Sequence, residues 1–144
     1  MSRHLIAKRM QRISEVREQK ARSAVSQAHR EVDETQAQIH EIEQESATQE
    51  SRLLASERVL SGAWLQVVAS ARDATRQQLD EAENRLLMAE QHLFERKTEH
   101  LVTARRRFAH DEIAARTRKE WRGELAKAAQ REIDDLANAR AARD

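Results

Sequence analysis

The sequence predicts an all-α chain of two long helices folded back as an antiparallel coiled-coil hairpin, the C-terminal helix being the longer. Three observations predict it. The 144 residues include no proline and only two glycines, Gly62 and Gly123, so almost nothing interrupts a helix, and Ala, Glu, Arg, Gln and Leu, mostly strong helix formers, dominate. Charged residues make up 35% and aromatic residues 3%, which is too little large apolar surface for a globular core and enough for a narrow seam between helices. The apolar residues are periodic rather than scattered, which, together with a formal net charge of +1, argues against a disordered chain.

The first helix is expected from about residue 3 to 59. Val25, Ala28, Val32, Thr35, Ile39, Ile42, Ser46, Gln49 and Leu53 recur at alternating steps of three and four, the signature of a heptad seam. Upstream, Leu5, Ile6, Met10, Ile13 and Val16 form an apolar stripe offset by about one residue, as an inserted stutter produces.

The turn is expected at about 60–63. At Leu60-Ser61-Gly62-Ala63-Trp64 the periodicity breaks, Gly62 can adopt the left-handed conformation after a helix, and Ser61 can cap the next.

The second helix is expected from about 63 to 140. Leu79, Ala82, Leu86, Ala89 and Leu93 keep the three-four rhythm, and after a phase slip Leu101, Ala104 and Phe108 resume it. At 1.5 Å per residue the helices would be about 85 and 115 Å long, so the second overhangs the first. A turn at residues 61 and 62 makes facing residue numbers add to about 123, setting Ile13 near Phe108. The seam contains many Ala, Thr, Ser and Gln residues and is therefore weaker per heptad than a Leu/Ile seam.

Charge is segregated along the sequence. Arg3, Lys8, Arg9, Arg12, Arg17, Lys20 and Arg22 are opposed in their stretch only by Glu15 and Glu18, and an antiparallel fold brings Arg105, Arg106, Arg107, Arg116, Arg118, Lys119 and Arg122 to the same end. Toward the turn the sign reverses, with Glu31, Asp33, Glu34, Glu41, Glu43, Glu45, Glu50, Asp80, Glu81 and Glu83. Single charges of this kind are ordinary solvated faces; the segregation by end is the informative feature.

No Gly-rich phosphate loop, HExxH pair, GxSxG elbow or cysteine cluster occurs, which leaves an enzyme without residues to use and implies no catalytic residue and no cofactor. The six histidines are dispersed, none three or four residues from another, so no metal site is expected. The absence of cysteine, of an N-terminal apolar leader and of any run of about 18 apolar residues gives the expectation of a cytoplasmic chain that does not span a membrane. Nucleic acid is not an expected partner, because the net charge is near zero and aromatics are not interleaved with the arginines. Trp64 can anchor a partner or cap the end of the coil. Trp121, with Leu125, Ala128, Ala129, Ile133 and Leu136, forms a stripe in the overhang with no remaining helix 1 partner, which favours binding.

Gly62-Ala63-Trp64-Leu65 after the break, the segment from Leu86 to Arg107 with Glu95-Arg96-Lys97 and its arginine-rich end, and the basic N-terminus resemble the FliJ/YscO family of type III secretion and flagellar export, over the whole chain. The resemblance implies a central stalk whose termini end enters the hexameric export ATPase and whose turn end faces an export-gate membrane protein. It also implies secretion chaperones as further partners and a position peripheral to the inner membrane at the secretion apparatus. It would make Arg9, Arg12, Arg17, Arg105, Arg106 and Arg107 contacts to the ATPase pore, and Trp64 and the early second helix, with Leu65, contacts to the gate; Trp121 and Leu125 are expected partner contacts from the overhang stripe alone. Ser70, Ala74 and Gln77 stand where the flagellar branch carries large aromatic and apolar residues, which points to the non-flagellar branch. The competing expectation is a generic coiled-coil adaptor or scaffold that self-associates without an ATPase partner.

Overall fold

The computed structural model describes residues 3–56 and 61–143. It contains two helices, α1 (Arg3–Ala55) and α2 (Gly62–Ala141), which pack against each other in antiparallel fashion. The last residues expected of helix 1, and Leu60 of the expected turn, lie outside the described residues. At the start of α2 the Ser61 Oγ accepts the Trp64 N–H at 3.2 Å, and the Ser61 carbonyl accepts the Leu65 N–H at 3.0 Å. Ser61 is thus the N-cap the sequence suggested. Gly62 does not act as a left-handed cap of the preceding helix: it has no positive φ and is already the first residue of α2.

The chain forms two compact units, Arg22–Glu99 and Met1–Ala21 with His100–Asp144. In the unit Arg22–Glu99 the seam is the expected one. Ala28, Val32, Val68 and Ala82 are buried, and Val25, Thr35, Ile39, Ile42, Ser46, Leu79, Leu86, Ala89 and Leu93 are half-buried around them, whereas Gln49 is exposed. His92 Nδ1 lies 3.4 Å from Glu31 Oε2, and Arg72 pairs with Glu50. Both pairs have residue numbers adding to about 123. Seam threonines cost little to bury, because Thr35 and Thr75 donate their hydroxyls to the carbonyls of Glu31 and Ala71 at 2.7 and 3.0 Å.

The unit Met1–Ala21 with His100–Asp144 corrects the sequence reading. Its buried residues are Ala7, Ser14, Glu18 and Ala114, and Gln11, His100, Thr103, Ala104, Arg107 and Thr117 are half-buried. The expected stripe lies outside the seam: Leu5, Ile6, Met10, Ile13 and Val16 are 43–64% exposed. Leu101 and Phe108 are exposed too, at 56% and 66%, so Ile13 and Phe108 do not form a core layer. There is neither a stutter nor a phase slip. His4, Gln11 and Glu18 stand in steps of seven from Val25 and Val32, and His100, Arg107 and Ala114 in steps of seven from Leu86 and Leu93.

The physical reason is that the phase fixed by the Val25–Ile42 heptads is held toward the helix start by the contacts of buried Glu18 to Arg107 and His100. Small residues at 7, 14 and 114 then let the backbones approach, while the larger apolar side chains are left outside. Accordingly, Val16→Gln should change stability by no more than about 0.5 kcal/mol, as for other surface positions, measured by urea denaturation. A seam residue would lose several times that.

Among the described residues no helix is long and apolar enough to cross a membrane.

Candidate functional site

The two units carry opposite charge. Met1–Ala21 with His100–Asp144 holds 17 Lys and Arg against 10 Asp and Glu, a formal +7; Arg22–Glu99 holds 9 against 15, a formal −6. In the basic unit both helices contribute, so the charge comes from two elements rather than one run.

The arginines there are of two kinds. Arg9, Arg12, Arg17, Arg105 and Arg106 are exposed and available to an outside partner. Arg107 is half-buried and tied inward: its Nη1 donates to Glu18 Oε2 at 2.7 Å, and its Nε lies 3.7 Å from Asp111 Oδ2. The Glu18 hydrogen bond, supported by the charges of Glu18, Asp111 and Glu15, holds the guanidinium further above its ordinary pKa.

Glu18 is 5% exposed. Its other oxygen, Oε1, lies 3.2 Å from His100 Nε2. Gln11 Nε2 in turn donates to Asp111 Oδ1 at 2.9 Å. Gln11, Glu18, His100, Arg107 and Asp111 therefore form one polar network linking the two helices of this unit. The sequence reading placed Arg107 among outward-facing contacts and did not single out Glu18 or His100. The signal that would have found them is the heptad phase, since 18 and 25, and 93, 100 and 107, are seven apart.

At the start of α1, the rings of His4 and Trp121 lie parallel within 4° with centroids 6.4 Å apart. Trp121 was expected to have no partner on helix 1; it has one, because residue 4 continues the seam phase. Around this pair a groove is lined by His4, Lys8, Arg118, Trp121, Arg122 and Leu125, a cationic surface with the stacked rings at its edge. Trp121 and Leu125 keep 38% and 50% of their surface exposed.

In the acidic unit, Trp64 is half-buried and Leu65 exposed, both in the first turn of α2. Ser70, Ala74 and Gln77, further along, are exposed. Among the described residues no group of three His, Cys, Asp or Glu side chains is placed to hold a metal ion. What this arrangement supplies chemically is two surfaces of opposite sign, each edged by exposed apolar side chains.

No protein-family model, curated protein or solved structure matches the chain.

Proposed function

We propose that the chain is a central stalk of a type III secretion export apparatus, its basic unit engaging a hexameric export ATPase and its acidic unit facing the export gate. The observation that carries the reading is the separation of charge into +7 and −6 units, with Arg9, Arg12, Arg17, Arg105 and Arg106 all exposed on the basic one. A ring of acidic or carbonyl-lined pore loops is the kind of partner that such a surface recruits, and electrostatic attraction of this sort acts mainly on the association rate. The resemblance of Gly62-Ala63-Trp64-Leu65 and of the arginine-rich stretch to the FliJ/YscO family supports the same assignment. Trp64 and Leu65, and on the basic unit Trp121 and Leu125, supply the apolar contacts.

The test is stimulation of the cognate ATPase by the purified chain. Arg17→Glu, Arg105→Glu and Arg106→Glu together should weaken the stimulation by at least about tenfold and flatten its dependence on salt, with unchanged helical circular dichroism. Arg107 is excluded from the set, because Glu at that position would face the buried Glu18 and disturb the fold. An intact chain that leaves the ATPase rate unchanged would sink the proposal.

A second reading, a self-associating coiled-coil adaptor, is favoured by one observation: large apolar side chains such as Leu87, Phe94, Leu101 and Phe108 stand on the surface at 56–71% exposure.

A further inference from the structure

Near its start, α1 shows the solvent two kinds of residue. Between residues 3 and 20, twelve are exposed: five are large and apolar, Leu5, Ile6, Met10, Ile13 and Val16, six are Lys or Arg, and the last is Gln19. No acid is among them, which decides the sign of the surface: Glu15 is half-buried, and Glu18, 5% exposed, lies in the seam.

The five apolar residues are 43–64% exposed. At about 100° per residue they fall within an arc of about 140°, centred about 130° round the helix from the seam line of Ala7, Ser14 and Glu18. Arg9, Arg17 and Lys20 stand inside the same arc and Arg12 at its edge, whereas Glu15 falls outside it. All of these residues belong to the basic unit.

We infer that this face of α1 lies on the surface of a bilayer containing anionic lipid, its apolar side chains entering the boundary between headgroups and acyl chains and its cations meeting lipid phosphates. Three features select such a surface. Five large apolar side chains displayed over residues 5–16 are a liability in water, and the bilayer interface rewards the burial of each. Cations without acids are attracted by an anionic leaflet and not by a neutral one. Finally, the apolar and cationic positions are interleaved. A fluid interface accepts this, because long Arg and Lys stems let the charged heads swing sideways to phosphates while their methylenes stay against apolar neighbours. A folded acidic groove would instead need an acid placed opposite each cation. Nucleic acid fits poorly, because no aromatic ring stands on the face for a base to stack on. The helix lies on the bilayer rather than across it, since among the described residues no helix is long and apolar enough to cross one. The inference goes beyond the stalk proposal and does not rest on it. Arg9, Arg12 and Arg17 are common to both surfaces, so a bilayer and an ATPase would exclude one another there.

Flotation of the full chain with large unilamellar vesicles tests it, one set made of phosphatidylcholine alone and one with about a third phosphatidylglycerol. Binding to the anionic set is expected to be at least about tenfold tighter than to the neutral set, and to fall as salt rises. Leu5→Gln, Ile13→Gln and Val16→Gln together should weaken binding to the anionic set by at least about tenfold. Arg12→Gln with Lys20→Gln should weaken it by about as much. Helicity and melting temperature should hold in both variants, because all five positions are exposed. The apolar variant separates this inference from the stalk reading, which gives those three residues no part. A chain that leaves anionic vesicles unbound overturns the inference, whether or not it stimulates an ATPase. So does binding that is indifferent to the three apolar changes, which would be adsorption by charge alone. Binding to soluble poly-glutamate but not to the vesicles would assign the face to an acidic protein instead.

Discussion

Replacing Arg107 with methionine is expected to lower the melting temperature by about 5–10 °C, whereas replacing Glu18 with methionine should cost much less or raise it. The asymmetry follows from where the two charges sit. Glu18 is 5% exposed, and its carboxylate meets Arg107 at 2.7 Å and His100 at 3.2 Å. Without the guanidinium, a buried carboxylate loses a short charge-assisted hydrogen bond and cannot regain water. Without the carboxylate, Arg107, whose side chain is 39% exposed, turns its head to solvent and keeps Asp111 as a neighbour. Because the Glu18 contact raises the Arg107 pKa, the guanidinium's contribution is fully present below the unfolded-state value of arginine and is lost only as strongly alkaline pH passes the folded value. At neutral pH the guanidinium's share is therefore complete. Thermal melts of the two variants decide the matter, and equal losses would show that Glu18 is not buried against Arg107 as described.

The fold was legible because most of its determinants are local. Helix formers, the lack of proline and a single Ser-Gly break specify two helices, and in the unit Arg22–Glu99 the apolar residues Val25, Val32, Ile39, Leu79 and Leu86 mark the seam. In the other unit the same rule, that the largest apolar side chains face inward, selects the wrong face. There Ala7, Ser14, Glu18 and Ala114 are buried while Leu5, Ile13 and Phe108 are outside. Two principles compete at this point, and the seven-residue phase, held by the Glu18–Arg107 bond and by close approach at Ala7, Ser14 and Ala114, outweighs the burial of individual leucines. Charge clustering was legible for a simpler reason: an antiparallel pairing near residue 62 suffices to bring positions 3–20 beside 105–122. What composition could not reveal was that one of those arginines is committed to an internal partner. That depends on register at the level of single residues, to which Glu18, His100 and Arg107 are sensitive and the bulk charge is not.

Converting the whole polar layer should have the opposite effect to breaking it. Glu18→Leu, His100→Leu and Arg107→Leu together are expected to raise the melting temperature by about 5 °C or more, since they replace the charges around buried Glu18 by apolar packing in a seam that, among the described residues, has no large fully buried side chain. An ionic layer built on one buried carboxylate is thus a poor explanation of stability here, and its effect lies in register. Glu18 reaches Arg107 and His100 together at one alignment of the helices only, whereas a run of Ala, Ser and Thr accepts several sliding positions at similar energy. The leucine variant should therefore melt higher yet hold its helices less uniquely. Spin labels at two engineered cysteines, one on each helix of the basic unit, would read this directly, since the chain has no cysteine of its own. A broadened distance distribution in the leucine variant is the expected result, and one as narrow as in the natural chain would remove the register role. If the exposed arginines Arg17, Arg105 and Arg106 engage a symmetric ring, their relative height on the two helices has to be fixed. The Glu18 network then ties that outward surface to the seam beneath it.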